Sequence, residues 1–594
     1  MTGFHMHRPR RRHFHAAFTV AALAGTPAYA LETHVSGRLG FGASFRTEAS
    51  VPHLLVPYNA AAVGLSGVAS AGQNSDDANL NFRRGDAVSR TLKGYVDLTA
   101  GEGSFSALLR AKAWHDFALS DHARAWGNSI NGYAAGQPLD DAGGARLSRF
   151  SGVALGDVFV QHSVQADGVR MLARLGQQSL AWGERGGFPG GLSAINAVDF
   201  PARRRADAVP QETLVPAPML FARVDVASGF GVEGFYQTHF RPSALDLCGT
   251  FWATTDYVAQ GCNHAFAGPM PVSDRARLAR GAFVKRMDNP DAVDERQYGA
   301  ALTWKSAPLA LDVGLYHARY TSRNPLPGVR KAQRTGTGLI AGDPDGKNMR
   351  YFTEYAGGIG MTSLTLAHRR AHGSLFGELT YRPNQPIQLP PGDTLPAFLN
   401  PAIVTLLRKD VDALAPGALY HTYDRYRTFQ LQAGVQQDWP LVAGIAVSTL
   451  GEVVVKHVAG LPDPSVRRYG RADQYGNGPV NGACTVTSSD AARQCSSDGY
   501  VSPTAHAYRV RVDARMAQVL KGLNLHAWAQ LQHEVKGWSY DFLLSEGRRT
   551  MNIGLRMEYL KRYVAEVAYL PVWGGVYNTQ VDRDVLSVSM GVKF

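Results

Sequence analysis

Residues 508–516 read Tyr508-Arg509-Val510-Arg511-Val512-Asp513-Ala514-Arg515-Met516. Apolar and charged side chains alternate without a break. A strand turns successive side chains to opposite faces. Tyr508, Val510, Val512, Ala514 and Met516 therefore share one face, and Arg509, Arg511, Asp513 and Arg515 share the other. Such a strand wants hydrocarbon on one side and water on the other. Outward Arg at a bilayer midplane costs about 2–4 kcal/mol each, so the charged face is expected to look into a water-filled lumen.

The alternation recurs along the chain. Val35, Leu39, Phe41, Ala43 and Phe45 oppose Ser36, Arg38, Gly40, Ser44 and Arg46. Leu92, Val96 and Leu98 oppose Thr91, Lys93, Asp97 and Thr99. After Gly101-Glu102-Gly103-Ser104, Phe105, Ala107, Leu109, Ala111 and Ala113 oppose Ser106, Arg110, Lys112 and Asp116. Arg170 and Arg174 oppose Val169, Met171, Ala173 and Leu175. Asn524, His526, Gln530 and Gln532 oppose Leu523, Leu525, Ala527, Ala529 and Leu531. Short turns at 101–104, 166–168, 227–229, 306–308 and 561–562 alternate with long polar stretches at 47–88, 118–151, 183–215, 241–295, 322–348, 388–422 and 458–504. Short periplasmic turns and long extracellular loops are the outer-membrane pattern. The expected fold is all-β: a single large antiparallel transmembrane β-barrel of about 18 strands, with 16 as the alternative, wide enough to leave a lumen.

The last segment fits closure of such a barrel. Leu586, Val588, Met590, Val592 and Phe594 alternate with Ser587, Ser589, Gly591 and Lys593. A free edge there would invite aggregation, so pairing with the Val35–Phe45 segment is expected. A final strand ending in Phe594 resembles the signal read by the outer-membrane barrel-assembly machinery.

Composition narrows the class. The 594 residues are 45% hydrophobic and 19% charged, with 63 Gly, and the mean hydropathy is −0.18. That is too polar for a helical membrane bundle, and the longest apolar run, from Trp439 to Val455, is broken by Gly444, Gly451 and Glu452. Arg8, Arg10, Arg11 and Arg12, the apolar stretch Ala16 to Gly25 and the small-x-small triplet Ala28-Tyr29-Ala30 read as a secretory signal peptide over 1–30. The barrel domain is expected over 31–594. Four of the positive charges lie in the leader, leaving +8 of the formal +12. These charges are spread over strands and loops, which argues against nucleic acid; lipopolysaccharide phosphates are the expected surface partner. Tyr559, Trp439 and Phe594 fit interfacial aromatic girdles.

Cys248 and Cys262 lie 14 apart, and Cys484 and Cys495 lie 11 apart, each pair in a polar, loop-like stretch. Local pairing within each loop is the simplest of three connectivities, and an exported chain permits it. Neither spacing suits zinc, and no metal or cofactor is expected.

Three blocks carry a family resemblance. They are Asn81-Phe82-Arg83-Arg84-Gly85-Asp86 with Val88-Ser89-Arg90; Arg174-Leu175-Gly176-Gln177-Gln178-Ser179-Leu180-Ala181-Trp182-Gly183-Glu184, followed by Asn196-Ala197-Val198-Asp199 and Leu214-Val215-Pro216; and Gly377-Glu378-Leu379-Thr380-Tyr381-Arg382-Pro383-Asn384-Gln385-Pro386. Together they resemble the domain-of-unknown-function 1302 family of Gram-negative outer-membrane proteins. The resemblance implies a β-barrel without an assigned reaction, engaged in lipid or hydrophobic-compound traffic. It also implies, as companions, a periplasmic lipid-carrier-like lipoprotein and an inner-membrane exporter. The run Arg203-Arg204-Arg205 departs from the family pattern.

The chief candidate site is the segment Trp182 to Pro218. It is expected to fold into the lumen as a constriction, with Arg203, Arg204 and Arg205 opposite Glu184 and Asp199, and with Arg185 and Asp207 nearby. Rings of charge set selectivity in pores. The bland alternative is an exterior loop with a solvated charge run. Arg170, Arg174, Arg509, Arg511 and Arg515 are expected to line the pore and attract carboxylates, or else to form cross-lumen ion pairs with Asp97, Asp513 and Glu558 that merely stiffen the wall. Gly229 to Gly234 matches a GxGxxG pattern inside a hairpin without a following helix, so it does not suggest nucleotide binding. No metalloprotease or nucleophile-elbow motif is present. The expected function is a porin-like channel for passive passage of small amphipathic or hydrophobic, anionic solutes through the outer membrane. A structural barrel that docks envelope partners is the alternative, and a barrel lipase or protease a more distant one.

Overall fold

The computed structural model describes residues 31–69, 71–183, 186–267, 271–290, 293–441, 443–487 and 490–594. The expected signal peptide, and Glu184 and Arg185 of the expected constriction, lie outside the described residues.

Eighteen antiparallel strands form one closed sheet. In chain order they are β1 (Glu32–Arg46), β2 (Ala87–Glu102), β3 (Phe105–Asp116), β4 (Ser151–Ala166), β5 (Val169–Gln178), β6 (Ala217–Val226), β7 (Phe230–Gln237), β8 (Gln297–Ser306), β9 (Leu311–Tyr320), β10 (Ile359–Arg370), β11 (Gly373–Gln388), β12 (Tyr423–Asp438), β13 (Ile445–Ala459), β14 (Thr504–Leu520), β15 (Leu523–Lys536), β16 (Arg549–Tyr559), β17 (Tyr563–Leu570, continued by Val572–Trp573) and β18 (Val585–Lys593). Each strand pairs with its sequence neighbours. The ring closes where β1 meets β18, in register from Arg38↔Lys593 to Arg46↔Val585. Gly37 and Phe594 exchange backbone hydrogen bonds at 2.9 and 3.1 Å, extending that seam to the last residue. Closure removes the edge that a free final strand would expose.

The period-two pattern sets which side faces out. Leu39, Phe41, Val96, Leu175, Leu302 and Val510 all project from the outer surface, 41–58% exposed. The alternate residues Arg38, Lys93 and Lys112 are 4–7% exposed on the inner side. Exposed aromatic rings mark both rims: Phe105, Trp439, Tyr559, Tyr563 and Phe594 at the short-turn end, and Tyr236, Tyr298 and Tyr508 at the other.

Connections at one end of the barrel are a few residues long, while nine at the other are far longer. The long ones are not bare polar loops. They build a five-stranded sheet of short segments, His264–Phe266, Phe283–Arg286, Leu326–Arg330, Arg350–Glu354 and Leu419–His421. They also enclose an apolar core that includes Tyr257, Val284, Met349, Tyr351, Ile387 and Phe398. Apolar residues dispersed through polar sequence meet only when several connections come together. Both local disulfides, Cys248–Cys262 and Cys484–Cys495, lie in this cap.

Candidate functional site

The connection from β5 to β6 behaves differently from its neighbours. Its described residues enter the barrel and touch three arcs of the wall. On the first arc, Trp182, Leu192 and Ile195 join Met219, Phe235, Ala301, Ala318 and Met361, which line the inner faces of β6–β10. Burying such side chains contributes about 1.5–3 kcal/mol each.

The second arc is β11–β14. There the backbone amide of Leu192 donates to Glu378 Oε1 (2.8 Å) and that of Gly187 to Glu452 Oε1 (2.8 Å). Arg382 donates to the carbonyl of Gly191 at 2.6 Å, Lys456 to that of Pro189 at 3.1 Å, and Arg509 to that of Gly187 at 3.1 Å. Glycine is required here. Gly191 sits at φ +46°, and a Cβ on it would run into the Glu378 carboxylate.

The third arc is β16 with β1–β3, where cations of the wall hold carboxylates of the inserted segment. Lys112 pairs with Asp199 at 2.7 Å, Lys93 with Glu212 at 2.6 Å, and Arg556 with Asp207 at 2.9 Å. Arg38 also pairs with Asp207. Asp199 has a second duty: it accepts the amide of Ala202 at 2.9 Å and so caps the short helix Phe200–Arg204. Lys93, Lys112 and all three carboxylates are at least nine-tenths buried. Removing one partner of a buried pair strands the other charge, at a cost of about 3–5 kcal/mol.

The arginine run takes three directions. Arg203 is exposed, makes no ion pair with a described carboxylate and lies within electrostatic reach of Arg204 and Arg509. Arg204 stacks on Trp252 (4.6 Å) and lies 3.8 Å from Asp246. Arg205 is buried over the Trp114 ring at 4.9 Å. The run is therefore not set as one block opposite Asp199. Asp199 is held by Lys112, a wall residue whose inward face is legible but whose partner is not.

The wall arginines divide as well. Arg509 pairs with Glu452, and Arg511 pairs with Asp513 at 2.7 Å. Asp97 is held by Arg110 at 2.6 Å and Glu558 by Lys593. These pairs run along the wall between neighbouring residues and do not reach across the lumen. Arg174 donates to Gln161 (2.8 Å) and lies over Phe159 and Phe221, at 4.3 and 6.0 Å. Arg170 and Arg515 are exposed toward the short-turn end, opposite Asp225 and His526 in the strand register.

Two cavities flank the inserted segment. The first, of about 420 Å³, opens between it and the short-turn end. It is lined by Arg174, Trp182, Arg223, Glu233, Lys305, Asp312, Tyr316 and Glu378 among others. The second, of about 460 Å³, lies on the loop side. Phe200 and Arg204 form its floor; Trp252, Tyr257, Trp538, Phe542 and Tyr577 give it aromatic walls, and Arg471 and Arg548 project polar groups into them. Arg548 pairs with Glu534 at 2.9 Å. Arg471 is held by the carbonyls of Ser496 (2.8 Å) and Tyr475 (2.7 Å) and by the rings of Tyr500 and Tyr577, without a described carboxylate partner. Burial pushes the Asp246 and Asp473 carboxyls up from the ordinary range; Arg204 pulls Asp246 back. The sequence offers no signal for this second cavity, because its walls come from seven different connections.

Comparison with solved structures finds chains that match over nearly their whole length. The OccAB4 protein of Acinetobacter baumannii is 9% identical over 95% of this chain and 97% of its own, with a TM-score of 0.39. A BenF-like porin from Pseudomonas fluorescens Pf-5 is 8% identical over 95% and 98%, with a TM-score of 0.38. OccK8 (OprE) of Pseudomonas aeruginosa is 9% identical over 94% and 97%, with a TM-score of 0.36. Comparison with curated proteins returns no match. The family model described as "Protein of unknown function (DUF1302)" matches residues 11–594, in agreement with the motif resemblance, and the chain belongs to that family.

Proposed function

We propose that the chain is a passive channel of the Gram-negative outer membrane for small amphipathic or hydrophobic anions, with the short turns in the periplasm and the long connections outside. One observation carries the reading: an inserted segment, fixed at three arcs of a polar lumen, separates an aromatic, arginine-bearing chamber from a charged vestibule. The outer chamber suits a solute with an apolar body and a carboxylate. Its rings take the apolar surface out of water, while Arg204 and Arg471 favour the anionic end. Passage then leads past Arg203, which has no described carboxylate partner and whose positive charge favours anions, and no bond is made or broken.

Barrel proteins of this end-to-end asymmetry sit in outer membranes, which supports the location, with lipopolysaccharide around the rim and the barrel-assembly machinery reading Phe594. The firm anchorage of the inserted segment favours one rival, a plugged barrel docking partners such as a periplasmic lipid-carrier-like lipoprotein and an inner-membrane exporter. Liposome swelling with fatty acids, sterols, sugars and dicarboxylates separates the two. Faster swelling with amphipathic carboxylates than with neutral sugars of similar size supports the channel. No swelling with any solute supports the plug. In a salt gradient, a reversal potential of cation-selective sign would overturn the anion preference.

A further inference from the structure

We propose that Asp76, Asp77 and Asp256 form a calcium site in the cap, outside the lumen, that ties two long connections together. Asp76 and Asp77 belong to the β1–β2 connection and Asp256 to the β7–β8 connection, some 180 residues later. One oxygen from each lies within 4.8 Å of the other two. Oxygens that share a calcium ion at about 2.4 Å lie at most about 4.8 Å apart, so the three are spaced for a common ion.

The local bookkeeping of donors leaves them short. All three side chains are at most 2% exposed, and none forms an ion pair with a described residue. Asp76 accepts from the amide of Val56 (3.0 Å) and from Asn59 (3.1 Å). Asp77 Oδ1 accepts from Trp126 Nε1 (2.6 Å), and Asp256 Oδ2 from the amide of Asp77 (3.3 Å). Among the described residues Asp77 Oδ2 and Asp256 Oδ1 have no hydrogen-bond partner at normal distance, although the Gly249 amide and the Arg583 charge act on Asp256. A fourth carboxylate, Asp274, is linked through Asn59 (2.6 Å) and has its own cation, Arg277, at 3.6 Å.

A second feature points the same way. The Tyr133 hydroxyl, on the β3–β4 connection, is 1% exposed and has no hydrogen-bond partner among the described residues, yet it lies within electrostatic reach of all four carboxylates. Burial, and then mutual repulsion, pushes the Asp76 and Asp77 carboxyls upward. Uncompensated buried carboxylates are costly, and a hard divalent cation supplies the missing charge and fills the open oxygen positions. Calcium fits better than magnesium. Magnesium keeps several of its waters, whereas calcium accepts a flexible shell of protein oxygens, and this site is sealed from solvent. The ion would act where Asn74 already accepts the amide of Asp256 at 2.7 Å and donates to the carbonyl of Phe266 at 2.8 Å.

Terbium, used as a calcium probe on the full chain in detergent, tests the site, because Trp126 touches Asp77 and can sensitise the emission. The expected result is tryptophan-sensitised terbium emission, displaced by calcium and displaced far less by equimolar magnesium. Asp256→Asn should weaken terbium binding by about tenfold or more while melting no lower than the wild type in chelator, since one buried charge is gone. Under tryptophan-selective excitation, Trp126→Phe should strongly reduce the sensitised emission yet keep the calcium-dependent rise in melting temperature, as expected of a ligand that binds only the folded state. Emission that calcium does not displace, or a calcium response undiminished in Asp256→Asn, would overturn the proposal. Equal displacement by magnesium would overturn the choice of ion.

Discussion

Lys112 shows how a single wall residue anchors the inserted segment. It holds Asp199 at 2.7 Å and also donates to the carbonyl of Glu212 at 2.7 Å. Lys112→Met keeps the length of the side chain and leaves Asp199 buried without its cation, so that anchor should lose about 3–5 kcal/mol. The expected outcome is a barrel that still resists detergent unfolding but shows frequent conductance steps in single-channel recordings; quiet, wild-type traces would contradict it. Gly191→Val probes the opposite anchor. A valine there meets the Glu378 carboxylate in a left-handed backbone conformation, with a cost of about 1–3 kcal/mol. It should raise the protease sensitivity of 186–212 relative to wild type. The inward direction of Lys93 and Lys112 was legible from alternation alone. Their partners were not, because an ion pair between residues about a hundred positions apart leaves no periodic mark.

At the scale of elements, strands were the most legible. Period-two runs located the walls and the Leu586–Phe594 closing segment, and five of the short turns fell where the runs stop. The turns after β10, β12 and β14 were harder to see: Ala371-His372 has neither glycine nor proline, Lys521-Gly522 has a single glycine, and in 439–444 Pro440 and Gly444 sit within an otherwise apolar stretch. The connections were misread in texture: stretches that look polar fold into a cap with its own sheet and apolar core. The two disulfides staple that cap locally, spanning 14 and 11 residues. Each should contribute about 3 kcal/mol in the chain-entropy picture. Reduction should therefore speed proteolysis within 238–296 and 460–503, while the barrel keeps its heat-modifiable mobility on a gel. Loss of that mobility on reduction would mean that the cap holds the barrel together.

For the whole molecule, the alternation seen in residues 508–516 and repeated along the chain carried furthest: it pointed to a barrel of about eighteen strands, with sixteen as the alternative, and the closed ring has eighteen. In the proposed function, the segment between β5 and β6 sets the path through that ring. Its Gly-rich stretch and its alternation of acids with arginines made it the candidate, but only the three-way contact with the wall shows how it is fixed. The most direct measurement is the single-channel conductance of a variant lacking residues 186–212, compared with the full chain in a planar bilayer. Removing the barrier between the two chambers should raise conductance by about twofold or more and weaken discrimination between anions and cations. Unchanged conductance and unchanged selectivity would show that the inserted segment does not define the path, and would contradict the account.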